Sequence, residues 1–114
     1  MSKFDPTVTL RQTIDFIQEA QALVSGLTLD QLLADPIKLR AFERVMELVG
    51  ESVKRVPQDF RDTHSQIPWK KIAGMRDVIS HAYEDLAHEI LWSAAEKDFP
   101  MLKAEVQRML VDLG

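Results

Sequence analysis

Between Asp35-Pro36 and Pro57 the residues Leu39, Phe42, Met46, Val49, Val53 and Val56 recur in alternating steps of three and four. That period belongs to a long amphipathic helix with a bundle-type seam, and such a seam must find other helices to bury it. The flanking residues punctuate it: Asp35 offers a cap acceptor, Pro36 occupies the first helical position where its missing N–H costs nothing, and Pro57 stops the run.

The same grammar recurs along the chain. Asp5-Pro6 opens a first helix on which Leu10, Ile14, Ile17 and Val24 form one stripe, and Gly26 is placed to end it in a left-handed cap. Thr28 and Gln31 have capping-box spacing for a short helix through about Ala34. Residues 57–67 lack periodicity and read as an irregular connection with room for a helical turn. Pro68 opens a further helix with Ile72, Met75, Ile79 and Ala82 on its stripe; Leu86 and Ile90 could prolong it, but a break near Glu84-Asp85 with Asp85 as the next cap is the expectation. A last helix is expected after Asp98-Phe99-Pro100, with Leu102, Val106, Met109 or Leu110, and Leu113 facing inward. Gly50, inside the long helix at a cost of ~1 kcal/mol relative to alanine, points to close approach by a neighbour. No short segment alternates with a period of two. The expected fold is all-α, an antiparallel helical bundle formed as one domain over residues 1–114.

Composition narrows the chemistry. The chain has no cysteine, which removes disulfides, zinc–thiolate sites and a thiol nucleophile and suits a cytoplasmic setting. No apolar run approaches the ~20 residues of a membrane helix and the first residues lack signal-peptide order, so a soluble protein without membrane contact is expected. The net charge is −4, yet Lys54 through Arg76 carries six basic residues against two acids. A basic strip on an acidic body can steer a phosphate-bearing ligand to one place.

That strip runs into Arg76, Asp77, His81 and Tyr83, spaced R-x4-H-x-Y. An always-charged guanidinium and an imidazole that titrates near neutrality are what a metal-free phosphate chemistry requires. On an unbroken helix Arg76 and Tyr83 lie about 20° apart, but Arg76 and His81 about 140° apart. For the pair to act together, either the helix distorts near its end or a second copy supplies one of them across a two-fold axis. Asp77 and His81, four residues apart, share a face, so Asp77 can orient the imidazole. Taken singly, each residue also has a plain reading: a surface histidine, a solvated or paired arginine, a tyrosine at the core edge. Glu43, Glu47 and Glu51 form a ladder that is ordinarily a solvated face, and His64 lies in the irregular connection, where solvation is expected. Asp85 and His88 have half the spacing of a carboxylate–histidine metal motif, but no second copy exists, so no metal and no cofactor are expected.

The segments Ile67–Tyr83, Ile90-Leu91-Trp92 and Asp98–Leu102, with Phe42–Pro57 upstream in the pattern E-R-x-x-E-x-x-G-E-x-x-K-R-x-P, resemble the HepT family of the HEPN superfamily. The resemblance spans about residues 7–112. It implies a homodimeric helical ribonuclease toxin whose antitoxin is a small nucleotidyltransferase of the MntA type. The family motif maps onto Arg76 and His81 as catalytic residues, Asp77 as their support and Tyr83 as the acceptor of AMP from the antitoxin. Lys70 and Lys71 are candidates for holding RNA phosphate. The family often has asparagine after the arginine and glycine between histidine and tyrosine, where this chain has Asp77 and Ala82. The alternative is a non-catalytic helical interaction module that binds a nucleotidyltransferase partner or nucleotide.

Overall fold

A computed structural model describes residues 5–81 and 85–113. Along these residues the chain forms α1 (Pro6–Val24), α2 (Leu29–Leu33), α3 (Pro36–Lys54), α4 (Gln58–Thr63), α5 (Trp69–Ala73), α6 (Met75–Ile79), α7 (Asp85–Ser93), a π-helical turn (Ala94–Asp98) and α8 (Phe99–Leu113). Among the described residues there is no strand, and the fold is all-α as the periodicity requires.

The caps lie where the sequence sets them. Asp5 accepts from the Thr7 amide at 3.0 Å and Asp35 from the Lys38 amide at 3.1 Å. The Thr28–Gln31 capping box is closed in both directions, at 2.9 and 3.2 Å. Gly26 follows α1 with φ 76°, the left-handed conformation that ends a helix cheaply only in glycine.

The core lies where α1 meets α3 and α8. Leu10, Ile17 and Ala20 of α1, Phe42, Met46, Val49 and Val53 of α3, and Phe99, Leu102 and Val106 of α8 are buried together. Full burial of each large side chain contributes about 1.5–3 kcal/mol. A polar link is enclosed with them: Ser52 Oγ accepts from Thr13 Oγ1 at 2.9 Å and donates to Val49 O, tying α1 to α3. On the other side of α3, α5 and α6 pack closely. A Cβ on Gly50 would lie 2.9 Å from Ile72 O and 3.4 Å from Met75 Cβ, which is the close approach expected from its place in the helix.

Four expectations are revised. The helix opened by Pro68 is divided by Gly74 into α5 and α6. It has also ended by Ile79, so the break begins earlier than Glu84, which itself lies outside the described residues. The last helix does start at Phe99, but it continues from α7 through the π turn without interruption. Pro100 would deprive an α-helix of one hydrogen bond and press its ring on the preceding turn. The longer π step, in which the Phe99 amide reaches Ala94 O, carries the helix past it. Leu86 and Leu113 do not extend the buried stripes; they are 63% and 42% exposed.

Candidate functional site

Arg76 and Asp77 sit in the first turn of α6, both exposed. The Ser80 amide closes α6 on Arg76 O at 3.1 Å, and the His81 amide reaches only three residues back, to Val78 O at 3.0 Å. His81 therefore lies in the turn after the helix. The 140° separation of an unbroken helix does not apply to it. The side chain of His81 is exposed and lines a shallow pocket of about 260 Å³ with Asp77, Val78, Leu86, Ala87 and Ile90. Asp77 and His81 thus share one wall, as their four-residue spacing suggests. Arg76 is not among the residues lining this pocket. Tyr83 and Ala82 lie outside the described residues.

An imidazole and a carboxylate at the edge of an apolar hollow can hold and move a proton beside a ligand, and the neighbouring guanidinium can bind an anionic oxygen. The hollow is walled mainly by side chains that water solvates poorly, so charges placed there interact more strongly than on an open surface.

Lys70 and Lys71 belong to a different feature. With Gln58, Arg61, Asp62 and Trp69 they line a groove of about 620 Å³ between α4 and α5. Lys70 is exposed, whereas the Lys71 ammonium forms an ion pair with Asp98 in the π turn at 2.7 Å. This contact is an ion pair lying off the hydrogen-bonding direction, since Asp98 Oδ2 is buried without a hydrogen-bond partner. Arg61 was legible in the sequence only as one more charge in the basic strip. Its guanidinium donates Nε to Val56 O at 3.0 Å and Nη2 to Val53 O at 2.8 Å, satisfying carbonyls at the end of α3.

Two histidines outside the motif are structural. His64 is half-buried rather than solvated: Nδ1 lies 3.3 Å from Glu105 Oε1, which also accepts from Arg108, while the His64 carbonyl accepts the Trp69 indole N–H at 2.9 Å. His88 is buried against Glu43, with Nε2 and Oε2 3.3 Å apart. Glu43 thereby leaves the solvated ladder, and Arg40 holds its other oxygen at 3.0 Å. The signal was present but faint, since Glu43 and His88 each stand three residues before a fully buried side chain, Met46 and Leu91, at the margin of a stripe.

Residues 13–109 match the family described as ribonuclease HepT-like. A candidate RNase of Caldanaerobacter subterraneus subsp. tengcongensis is 40% identical over 97 residues, covering 82% of this chain and 87% of the relative. A protein of Thermococcus cleftensis named "Probable ribonuclease HepT" is 33% identical over 100 residues, covering 84% and 91%. A candidate RNase of Methanocaldococcus jannaschii is 29% identical over 113 residues, covering 99% and 93%. No solved structure gives a significant match.

Proposed function

The chain belongs to the ribonuclease HepT-like family, and from that premise we propose that it is the toxin of a toxin–antitoxin pair, an endoribonuclease that cuts RNA without a metal at a centre formed by two copies of the chain. The observation that carries the reading is the emergence of Arg76 and His81 on adjoining turns, both exposed, where α6 ends beside an apolar hollow. Neither side chain is part of the buried core.

His81 takes the proton of a ribose 2′-OH, and the 2′-oxygen bonds to the adjacent phosphorus as the bond to the 5′-oxygen breaks. The leaving 5′-oxygen receives a proton from an imidazolium, the second copy's histidine in a paired centre. Arg76 stabilises the charge that develops on the phosphoryl oxygens, and Lys70, with Lys71 when it leaves Asp98, holds a flanking phosphate. DNA lacks the nucleophile. The pocket beside His81, with Leu86 largely exposed on its wall, supports burial of this face against a second copy.

Control falls to Tyr83. AMP placed on its hydroxyl by a cognate nucleotidyltransferase of the MntA type adds bulk and negative charge two residues from His81, displacing RNA by occupation and repulsion. The test is RNA cleavage by His81→Ala and Arg76→Ala proteins, alone and mixed. Each alone is expected to be inactive, and the mixture to regain part of the activity; undiminished cleavage by His81→Ala would falsify the assignment.

A further inference from the structure

The chemistry just described uses the groove between α4 and α5 only through Lys70 and Lys71, and leaves its Arg61 and its apolar side without a task. We propose that the groove is a strand-binding subsite, which carries the grip on single-stranded RNA from the flanking phosphate held by Lys70 onward to Arg61. The proposal rests on the ribonuclease reading and extends it from the bond that is cut to the strand that is held.

Arg61 is the first argument. A guanidinium carries five N–H donors, and the bonds to Val53 O and Val56 O engage one edge of it. Those bonds fix the group in place, and Arg61 lines the groove. A cation immobilised in advance loses little entropy on meeting a phosphate, unlike a lysine on a mobile stem.

Local charge is the second. Asp62 is the acid in the groove wall, and its Oδ1 is occupied by the Gln58 amide at 2.8 Å. With Lys71 paired to Asp98, the groove keeps Arg61 and Lys70 against the single charge of Asp62, a positive balance on a chain of net charge −4. Confined positive potential on an acidic body selects a polyanion that can enter the groove and repels one lying elsewhere.

Shape is the third. Ile67, Pro68 and Trp69 give the groove an apolar side, and the Trp69 N–H bonded to His64 O holds that side in position. Phosphate donors facing an apolar wall, in a volume of about 620 Å³, fit a nucleotide unit with its base.

The test uses His81→Ala protein, so that RNA stays intact, and fluorescence anisotropy with labelled RNA of about three and about twelve nucleotides, lengths that fall short of and exceed a typical single-strand site. The longer RNA is expected to bind ~10-fold more tightly. Arg61→Gln and Lys70→Gln are each expected to remove most of that advantage, with the slope of log affinity against log salt falling by about 0.7 per lost phosphate contact. Lys38→Gln makes the same charge change at the opposite end of α3, and is expected to alter affinity less than twofold. Lys70→Gln keeps the test sound if Arg61→Gln unfolds. Groove variants that bind the longer RNA as Lys38→Gln does would overturn the subsite and leave the ribonuclease reading standing. If neither RNA binds the parent, both readings fall together. A free mononucleotide that binds as tightly as the longer RNA would make the groove a mononucleotide site and refute strand binding.

Discussion

Glu43 on α3 and His88 on α7, 45 residues apart in sequence, meet with Oε2 and Nε2 separated by 3.3 Å, their side chains 9% and 11% exposed. The contact ties the helix that bears the pocket wall, Leu86 to Ile90, to the central helix of the bundle. Arg40 completes the carboxylate, but His88 Nδ1 is buried without a hydrogen-bond partner among the described residues. The pair is therefore satisfied on one side only.

Removing one partner should cost more than removing both. Glu43→Ala strands the other nitrogen of His88 as well, and is expected to lower stability by about 2 kcal/mol, within the range for an unsatisfied buried polar group. Glu47→Ala, which breaks only the pair of a half-buried carboxylate with the exposed Arg44 one turn away, is expected to cost under about 1 kcal/mol. Replacing the pair by apolar residues, Glu43→Leu with His88→Leu, should recover much of the loss. Urea denaturation of the three proteins checks the order; a double variant less stable than Glu43→Ala would show that the contact itself is strongly stabilising.

Gly50→Ala tests the approach of α5 and α6 to α3. Alanine in a helix interior ordinarily gains about 1 kcal/mol over glycine. Here its Cβ would stand 2.9 Å from the backbone oxygen of Ile72, which cannot turn aside as a side-chain end would. Overpacking of this kind costs about 1–3 kcal/mol, so the net expectation is a loss of stability and a displaced α6. Thermal denaturation reads the first, and reduced RNA cleavage through misplaced Arg76 reads the second.

Acid should weaken the first helix cap. The Thr7 hydroxyl, 2.6 Å from Asp5 Oδ1, and then the Thr7 amide hold the Asp5 carboxyl below its ordinary 3.8. The folded chain thus takes up this proton less readily than the unfolded one, and the stabilisation is present above the unfolded value and lost as pH falls through the folded value. Asp5→Asn keeps a cap acceptor that does not titrate. The stability difference between parent and variant, from denaturation at a series of pH values, should shrink as pH falls through 3.8 and below; a constant difference contradicts the linkage.

Much of this molecule is legible in its sequence, for a local reason. Asp5-Pro6, Asp35-Pro36, Thr28-Gln31 and Gly26 act within one turn of themselves, and the Leu39 to Val56 stripe needs only a helical period to reveal its buried face. What escaped depends on contacts across the fold. Nothing near Glu43 announces His88, nothing near Lys71 announces Asp98, and the two carbonyls held by Arg61 become neighbours only once α4 has folded back on α3. The passage through Pro100 escaped because a π turn has no simple residue signature, whereas proline has a strong one. The motif residues were visible in the chain, but their turn geometry was not, since Ser80 and His81 carry no punctuation that marks the end of α6.

Asp77 is where charge works against the proposed chemistry. It is exposed in the first turn of α6 and lines the pocket with His81, so a phosphate approaching that imidazole meets a carboxylate as well. Two unit charges about 4 Å apart repel by roughly 1 kcal/mol in water-like surroundings, a factor of about five in affinity. Asp77→Asn removes the charge and keeps the shape, and is expected to raise kcat/KM for RNA by about fivefold at low salt, mostly through KM. Because the pocket is open, the gain should fade as the Debye length contracts to about 3 Å near 1 M salt. If Asp77 instead orients the imidazole, the same substitution lowers kcat at every salt concentration. Cleavage assays across a salt series therefore separate repulsion of the substrate from support of the catalyst.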